Sequence, residues 1–185
     1  INEYANQVSL SSNGKKIAIG AYANKENGNG SGKVRVLEYN GNDWLQIGKN
    51  ILGEAAQDHF GHSVSLSNDG KVMVSGSKYN DENGTDSGNV RIYRYVTDNE
   101  LNPPTSDWIK MGLSIFGNNP EDRFGDTVSV SGDGTILAVA ASMNDDNATD
   151  SGQVRVFNLV NMPLNTNPVA VDDTLTVEED SVLTS

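Results

Sequence analysis

Thirteen residues beginning at His59, HFGHSVSLSNDGK, return at Arg123 as RFGDTVSVSGDGT, and a weaker copy, EYANQVSLSSNGK, begins at Glu3. Phe60 and Phe124 lie 64 residues apart, whereas Gly32 and Gly88 lie 56 apart. The excess falls between Tyr95 and Trp108, where NELNPPTS with Pro103 and Pro104 reads as a surface insertion; Tyr39 and Trp44 are only five residues apart. A repeat of this length constrains the fold more than composition does. It points to a unit of supersecondary structure that cannot bury its apolar faces alone and is stabilised by stacking against copies of itself.

Each unit divides into four strand signals. The first is NQVSLS, HSVSLS or DTVSVS, in which valine and leucine alternate with serine, so one face is apolar and the other carries hydroxyls. A tight turn follows (SSNGK, SNDGK, SGDGT), with Gly14, Gly70 and Gly134 where a hairpin needs positive φ. The second strand, KIAIGAY, KVMVSGS or TILAVAAS, is small and continuously apolar, as a strand covered on both faces should be. The third is GKVRVLEY, GNVRIYRY or GQVRVFNL, and the fourth is DWLQIGKNI or DWIKMGLSI. In the middle unit the pattern predicts strands over 62–67, 71–77, 88–95 and 107–112, paired into one antiparallel sheet. Four antiparallel strands, repeated, make a propeller blade. The fold class expected is therefore all-β: a β-propeller fragment of nearly three blades (1–53, 54–117 and 118–160). Phe60, Phe124, Tyr4, Trp44 and Trp108 are expected to pack between blades. After Phe157 no Asp-Trp strand arrives, so the third sheet is expected to lack its fourth strand. The piece is expected to be marginal alone and to associate through open edges and faces.

The composition narrows the class of function. The 185 residues carry a formal net charge of -12, which repels nucleic acid and anionic lipid. There is no cysteine, which excludes disulfides, cysteine-ligated zinc and thiol catalysis. No stretch approaches the roughly 18 apolar residues of a membrane-spanning helix.

The segment DHFGHSVSLSNDGKVMVSGSKYNDENGTDSGNVRIYRY resembles an FG-GAP-type repeat, the unit of integrin-α-like β-propellers, through its Phe-Gly pair, Asp-Gly turn and Ser-Gly-x-Val strand. The resemblance covers about Glu3 to Leu159. It implies an extracellular or cell-surface location and a role in adhesion or recognition in a bacterial surface or secreted protein. It also brings a calcium loop, Asp-x-Asp-x-Asp-Gly, between the first two strands. Here that loop is only SSNG, SNDG or SGDG, too short for the roughly six to eight oxygens calcium takes. Residues 165–185, NTNPVAVDDTLTVEEDSVLTS, resemble the opening of a bacterial cadherin-like, Ig-type tandem repeat. That implies a linker over 161–168 and the first strands of an Ig-like module over 169–185.

Calcium, the one cofactor considered, is expected instead in the loops between second and third strands. Asp81, Asn83 and Asp86, and again Asp145, Asn147 and Asp150, offer hard oxygens at suitable spacing; the first unit has Lys25 and Gly30 at two of those places. The competing reading is a solvated turn held by Asx caps. His59 and His62, spaced His-x-x-His, are expected at the surface on opposite faces of a strand entry, a poor zinc arrangement. Arg35, Arg91 and Arg155 either face an anionic partner or, as expected here, pair with carboxylates and lie over the sheet. Gly28–Gly32 lacks the Lys-Ser/Thr ending of a phosphate loop. Asp58 and Asp122 read as turn caps. The inner-strand hydroxyls (Ser9, Ser11, Ser63, Ser65, Ser67, Ser129 and Ser131) are expected to line a polar funnel and have no evident base, and no Ser-His-Asp set can be drawn. The function expected is a non-enzymatic recognition or adhesion module with a protein or glycan ligand at the propeller rim. Its alternatives are the propeller domain of a secreted polysaccharide-acting enzyme, or a structural spacer.

Overall fold

The computed structural model describes residues 5–97 and 106–164, together with the backbone of 179–182. It contains three four-stranded antiparallel sheets. The first is β1 (Gln7–Leu10), β2 (Lys16–Ala21), β3 (Lys33–Tyr39) and β4 (Trp44–Leu52). The second is β5 (Ser63–Leu66), β6 (Val72–Ser77), β7 (Asn89–Val96) and β8 (Asp107–Phe116). The third is β9 (Phe124–Val130), β10 (Ile136–Ala141), β11 (Gln153–Asn158) and β12 (Glu179–Val182). Within each sheet the strands pair in chain order. The alternating strands and glycine turns therefore form the expected blades, and the middle sheet takes up the four segments marked out from its sequence.

The third sheet departs from expectation. β12 pairs with β11, with Arg155 opposite Val182 and Phe157 opposite Glu179, so the edge expected to stand open is closed. An unpaired β11 edge leaves a row of N–H and C=O groups without partners, and backbone alone can satisfy it; no Asp-Trp signature is required. The insertion NELNPPTS lies outside the described residues except Ser106. The Ig-like segment lies outside them except for the backbone of 179–182.

Two apolar clusters lie between sheets, not within them. One joins Ala18, Val34, Val36 and Ile51 of the first sheet to Phe60, Val64, Leu66, Met73, Tyr93 and Trp108 of the second. The other joins Val74, Val90, Ile92, Met111 and Ile115 to Phe124, Val128, Val130, Leu137 and Phe157 of the third. The middle sheet is thus apolar on both faces and is covered by a neighbour on each, which is the physics of a propeller. The Trp108 indole N–H donates to the Ile47 carbonyl across the first joint, 3.1 Å away. Extra residues around Gly48 interrupt the β3–β4 register, and the Trp108 ring fills the space left where Gly48 has no side chain.

The Phe-Gly pair explains the joint. Phe60 bridges Gly32 of the preceding sheet, and its N–H donates to the Ser31 carbonyl at 3.0 Å; Phe124 does the same with Ser87. The following glycines, Gly61 and Gly125, take φ of 86° and 89° and turn their carbonyls onto Gly20 and Gly76. A Cβ at Gly20 would stand 2.2 Å from the Gly61 oxygen, and one at Gly76 would stand 2.0 Å from that of Gly125. Glycine is required on both sides because the two backbones touch.

Candidate functional site

The loops that were candidates for calcium form the clamp behind each joint. In the second unit the carbonyls of Thr85, Asp86 and Ser87 accept the N–H groups of Glu121, Arg123 and Phe124 from the third. In the first, Asn29, Gly30 and Ser31 hold Gln57, His59 and Phe60 in the same way. Asp86 reaches this geometry with φ of 51°, where the first unit has Gly30 at 68°. Asp81 Oδ1 accepts the Asp86 N–H at 2.8 Å, and Asp145 caps Asp150 likewise. The Asn83 amide donates to the Gly117 carbonyl at 2.7 Å, and Asn27 donates to Gly53 at 2.8 Å in the unit that carries Lys25. The recurring asparagine thus ties loop to linker whether or not the acidic residues are present. Among the described residues no group of three or more Asp, Glu or His side chains gathers to hold a metal. Asp81 and Asp145 each give a carboxylate oxygen to the cap of their own loop, and Asn83 turns its amide to the linker.

The two aspartates before the Phe-Gly pairs are buried caps. Asp58 accepts the Ala55 N–H and the Asn80 amide, each at 3.1 Å. Asp122 accepts the Asn119 N–H at 2.9 Å and the Asn144 amide at 3.1 Å. Burial raises the Asp58 pKa, against the lowering effect of those hydrogen bonds and of Arg91. Arg91 crosses the joint: its guanidinium lies 3.9 Å from the Phe60 ring centre, donates to the Leu52 carbonyl and pairs with Glu54 at 3.2 Å. Arg155 repeats the arrangement over Phe124 and donates to the Phe116 carbonyl. Arg91 thus pairs with a carboxylate and lies over the joint as expected, while Arg155 lies over its rings with a carbonyl and the Asn118 amide oxygen as partners.

The inner-strand hydroxyls differ from the expected funnel lining. Ser9 and Ser65 accept the N–H groups of Leu66 and Val130 on the next sheet, each at 3.0 Å. Ser63 donates to the Gly125 carbonyl at 2.7 Å. Ser11, Ser67 and Ser131 cap the tight turns by accepting the N–H groups of Lys16, Val72 and Ile136. Ser67 and Ser131 also donate to the Asp69 and Asp133 carboxylates of their own turns, at 2.7 and 2.5 Å, so these hydroxyls hold joints and turns together.

A row of rings and cations crosses the rim beside the clamps. Tyr22 lies 5.0 Å from His59 and 5.8 Å from His62, and His59 lies 5.0 Å from Tyr79. Lys78 and Arg123 stand 5.2 and 5.4 Å from the Tyr79 ring centre. Lys78 also pairs with Asp126 at 3.0 Å, and His62 Nδ1 lies 3.6 Å from the same carboxylate. All of these side chains are half-buried. The histidines are not on opposite faces. Their segment is a turn, closed by the His62 N–H on the His59 carbonyl with φ of 59° at His59, so both rings meet Tyr22. Burial pushes both imidazoles below the usual histidine range, with Lys78 adding to it; Asp86 opposes it at His59, and Asp126 at His62. Burial works against the Asp126 charge, but hydrogen bonds from Lys78 and Ser142 and the charges of Lys78 and His62 hold it below the usual carboxylate range. Tyr22 and Tyr79 escaped the sequence reading because they occupy adjacent, not equivalent, places in the repeat: Tyr22 aligns with Lys78 and Tyr79 with Ala23.

Stacked four-stranded sheets joined by an inserted Phe-Gly turn define propeller blades of one kind. Residues 53–93 and 117–157 each match the family model of the FG-GAP repeat. Both matches open at the linker glycines, Gly53 and Gly117, that Asn27 and Asn83 hold. No curated protein matches the chain. Among solved structures, a Bacteroides uniformis protein assigned as a 6-phosphogluconolactonase is similar over 86% of this chain and 39% of its own, with TM-score 0.53 and 15% identity. The Pyrococcus horikoshii acylaminoacyl peptidase aligns over 86% of this chain and 24% of its own, with TM-score 0.41 and 13% identity. The chain therefore spans under half the length of either structure, and the first likeness is one of fold.

Proposed function

We propose that this chain is part of a non-enzymatic extracellular recognition or adhesion module whose partner, a protein or a glycan, binds at the rim. The observation that carries the reading is the rim row of Tyr22, His59 and Tyr79, bordered by Lys78 and Arg123 and running across successive blades. Such a surface offers apolar ring area and hydrogen-bond donors together, the composition that dominates recognition interfaces. The two matches to the FG-GAP repeat and the acidic surface support an extracellular setting. The engagement of the serine hydroxyls in joints and turns supports binding over hydrolysis. The test is a glycan array and a panel of extracellular-matrix proteins probed with the wild-type chain and with Tyr22→Ala plus Tyr79→Ala. The reading expects one ligand class to bind and the double variant to lose it at least tenfold with unchanged melting. Binding that survives the double variant, or hydrolysis of a bound polysaccharide, would refute it.

A further inference from the structure

The residue before each Phe-Gly pair is His59 in one joint and Arg123 in the next, each held by its clamp carbonyl in the left-handed region, at φ of 59° and 55°. Both come to Tyr79: the His59 ring centre lies 5.0 Å from that of Tyr79, and the Arg123 guanidinium lies 5.4 Å from it. Tyr79 therefore joins the equivalent positions of two successive joints into one patch on the rim. Arg123 stands apart from other cations near the joints. Lys33, Lys78, Arg91 and Lys110 are each paired with a carboxylate. Among the described residues the Arg123 guanidinium has the Tyr79 ring beside it but no ion pair and no hydrogen bond, and its Nε is buried. Asp126, on the same rim, is already taken by Lys78. A half-buried charge without a counter-ion is unfavourable. With Nε turned inward, the two terminal nitrogens are left to grip a carboxylate through parallel N–H groups.

Two features select the kind of ligand. The chain carries a net charge of -12, which repels a polyanion, so the ligand brings its negative charge singly. The backbone beside the patch is closed: the carbonyls of Thr85, Asp86 and Ser87 already hold the N–H groups of Glu121, Arg123 and Phe124, so a peptide finds no strand edge there to extend. The patch offers ring surface next to one anion seat. A carboxylated pyranose presents the matching pair, an apolar C–H face and a carboxylate on the same ring.

We propose that Tyr79 and Arg123 form a seat for a uronic acid residue of an otherwise neutral glycan, its carboxylate on the terminal nitrogens of Arg123 and its apolar face against the Tyr79 ring. This seat narrows the ligand of the rim reading, on which it rests.

A glycan array that carries the same neutral oligosaccharides capped with glucuronic acid or with glucose, beside acidic peptides, tests this with the wild-type chain, Arg123→Gln and Arg94→Gln. Arg94 is exposed and lies toward the far end of β7 from the clamp. The wild-type chain is expected to hold the glucuronate-capped forms about tenfold or more tighter than the glucose-capped ones. Arg123→Gln loses that preference and keeps the weaker binding of the glucose-capped forms, whereas Arg94→Gln keeps the preference. A second readout needs no variant: in nitrogen–proton correlation spectra of the wild-type chain, methyl glucuronide shifts the Arg123 Nε–H signal and methyl glucoside does not. Equal binding of the two caps, a preference that survives Arg123→Gln, an Arg123 signal that ignores the glucuronide, or capture of an acidic peptide in place of a glycan would overturn the seat. In any of these cases, binding that is still lost with Tyr22→Ala plus Tyr79→Ala leaves the rim reading standing without it; a wild-type chain that binds nothing sinks both.

Discussion

The joint between the first and second sheets and the outward face of the first sheet present the same residue types to different surroundings. At the joint, Val64, Leu66 and Trp108 are buried, and Ser9 reaches across to the Leu66 N–H. On the outward face Val8, Leu10 and Trp44 are exposed. Identical local sequence therefore carries very different energetic weight. The strands form in both places because alternation and turn chemistry are local. Burial comes only from a neighbour, so stability in this fold belongs to the joints.

The comparison can be broken by paired substitutions at equivalent positions. The largest difference is expected at the tryptophans. Trp108→Ala should cost about 3–5 kcal/mol, since it empties a buried slot beside Gly48 and removes the bond to Ile47, whereas Trp44→Ala should cost under about 1 kcal/mol. Urea unfolding of the two variants measures this. Val64→Ala is expected to lose about 2 kcal/mol and Val8→Ala almost nothing, read by the same unfolding curves.

Smaller effects separate the serines. Ser65→Ala leaves the Val130 N–H without its acceptor and should cost about 1–2 kcal/mol, while Ser129→Ala, at the exposed equivalent place, should be neutral. Amide exchange at Val130 should speed up in the first variant only. The smallest effect concerns the clamp loop. Asp81→Ala should lower stability by about 1 kcal/mol, through loss of the cap on Asp86, by the same amount with calcium or with chelator. Thermal unfolding in the two buffers checks this; a loss seen only in calcium would restore a metal role to the loop.

Much of the architecture was legible before any coordinates. Alternation in HSVSLS, the Gly70 turn and the Val-Arg-Ile strand are local signals, and they place β5 to β7 within a residue or so. The buried caps at Asp58 and Asp122 followed from their place at a strand entry. The packing of Phe60 and Phe124 between blades was legible, but the part of the glycine after each was not, because it depends on contact with Gly20 and Gly76 some tens of residues away. For the same reason the serines read as a funnel lining when they are links between sheets. The rim row was hidden because its rings come from non-equivalent positions, and His59 and His62 were placed on opposite faces because a positive φ in a histidine has no sequence mark. The β12 pairing was missed because an edge strand needs backbone, not a signature.

The central claim is that Phe-Gly docking onto a bare glycine makes each joint, and Gly76 and Ala140 test it at the same place in successive sheets. Gly76→Ala puts a methyl group against the Gly125 carbonyl and should cost roughly 2–4 kcal/mol; Ala140→Gly should cost no more than about 1 kcal/mol, the backbone entropy of a strand glycine. Thermal unfolding of the two variants beside the wild type is the direct measurement. The account predicts a large fall in melting temperature for Gly76→Ala and a small one for Ala140→Gly. A Gly76→Ala protein that melts with the wild type would show that the two backbones do not touch, and the joint would have to rest on other contacts.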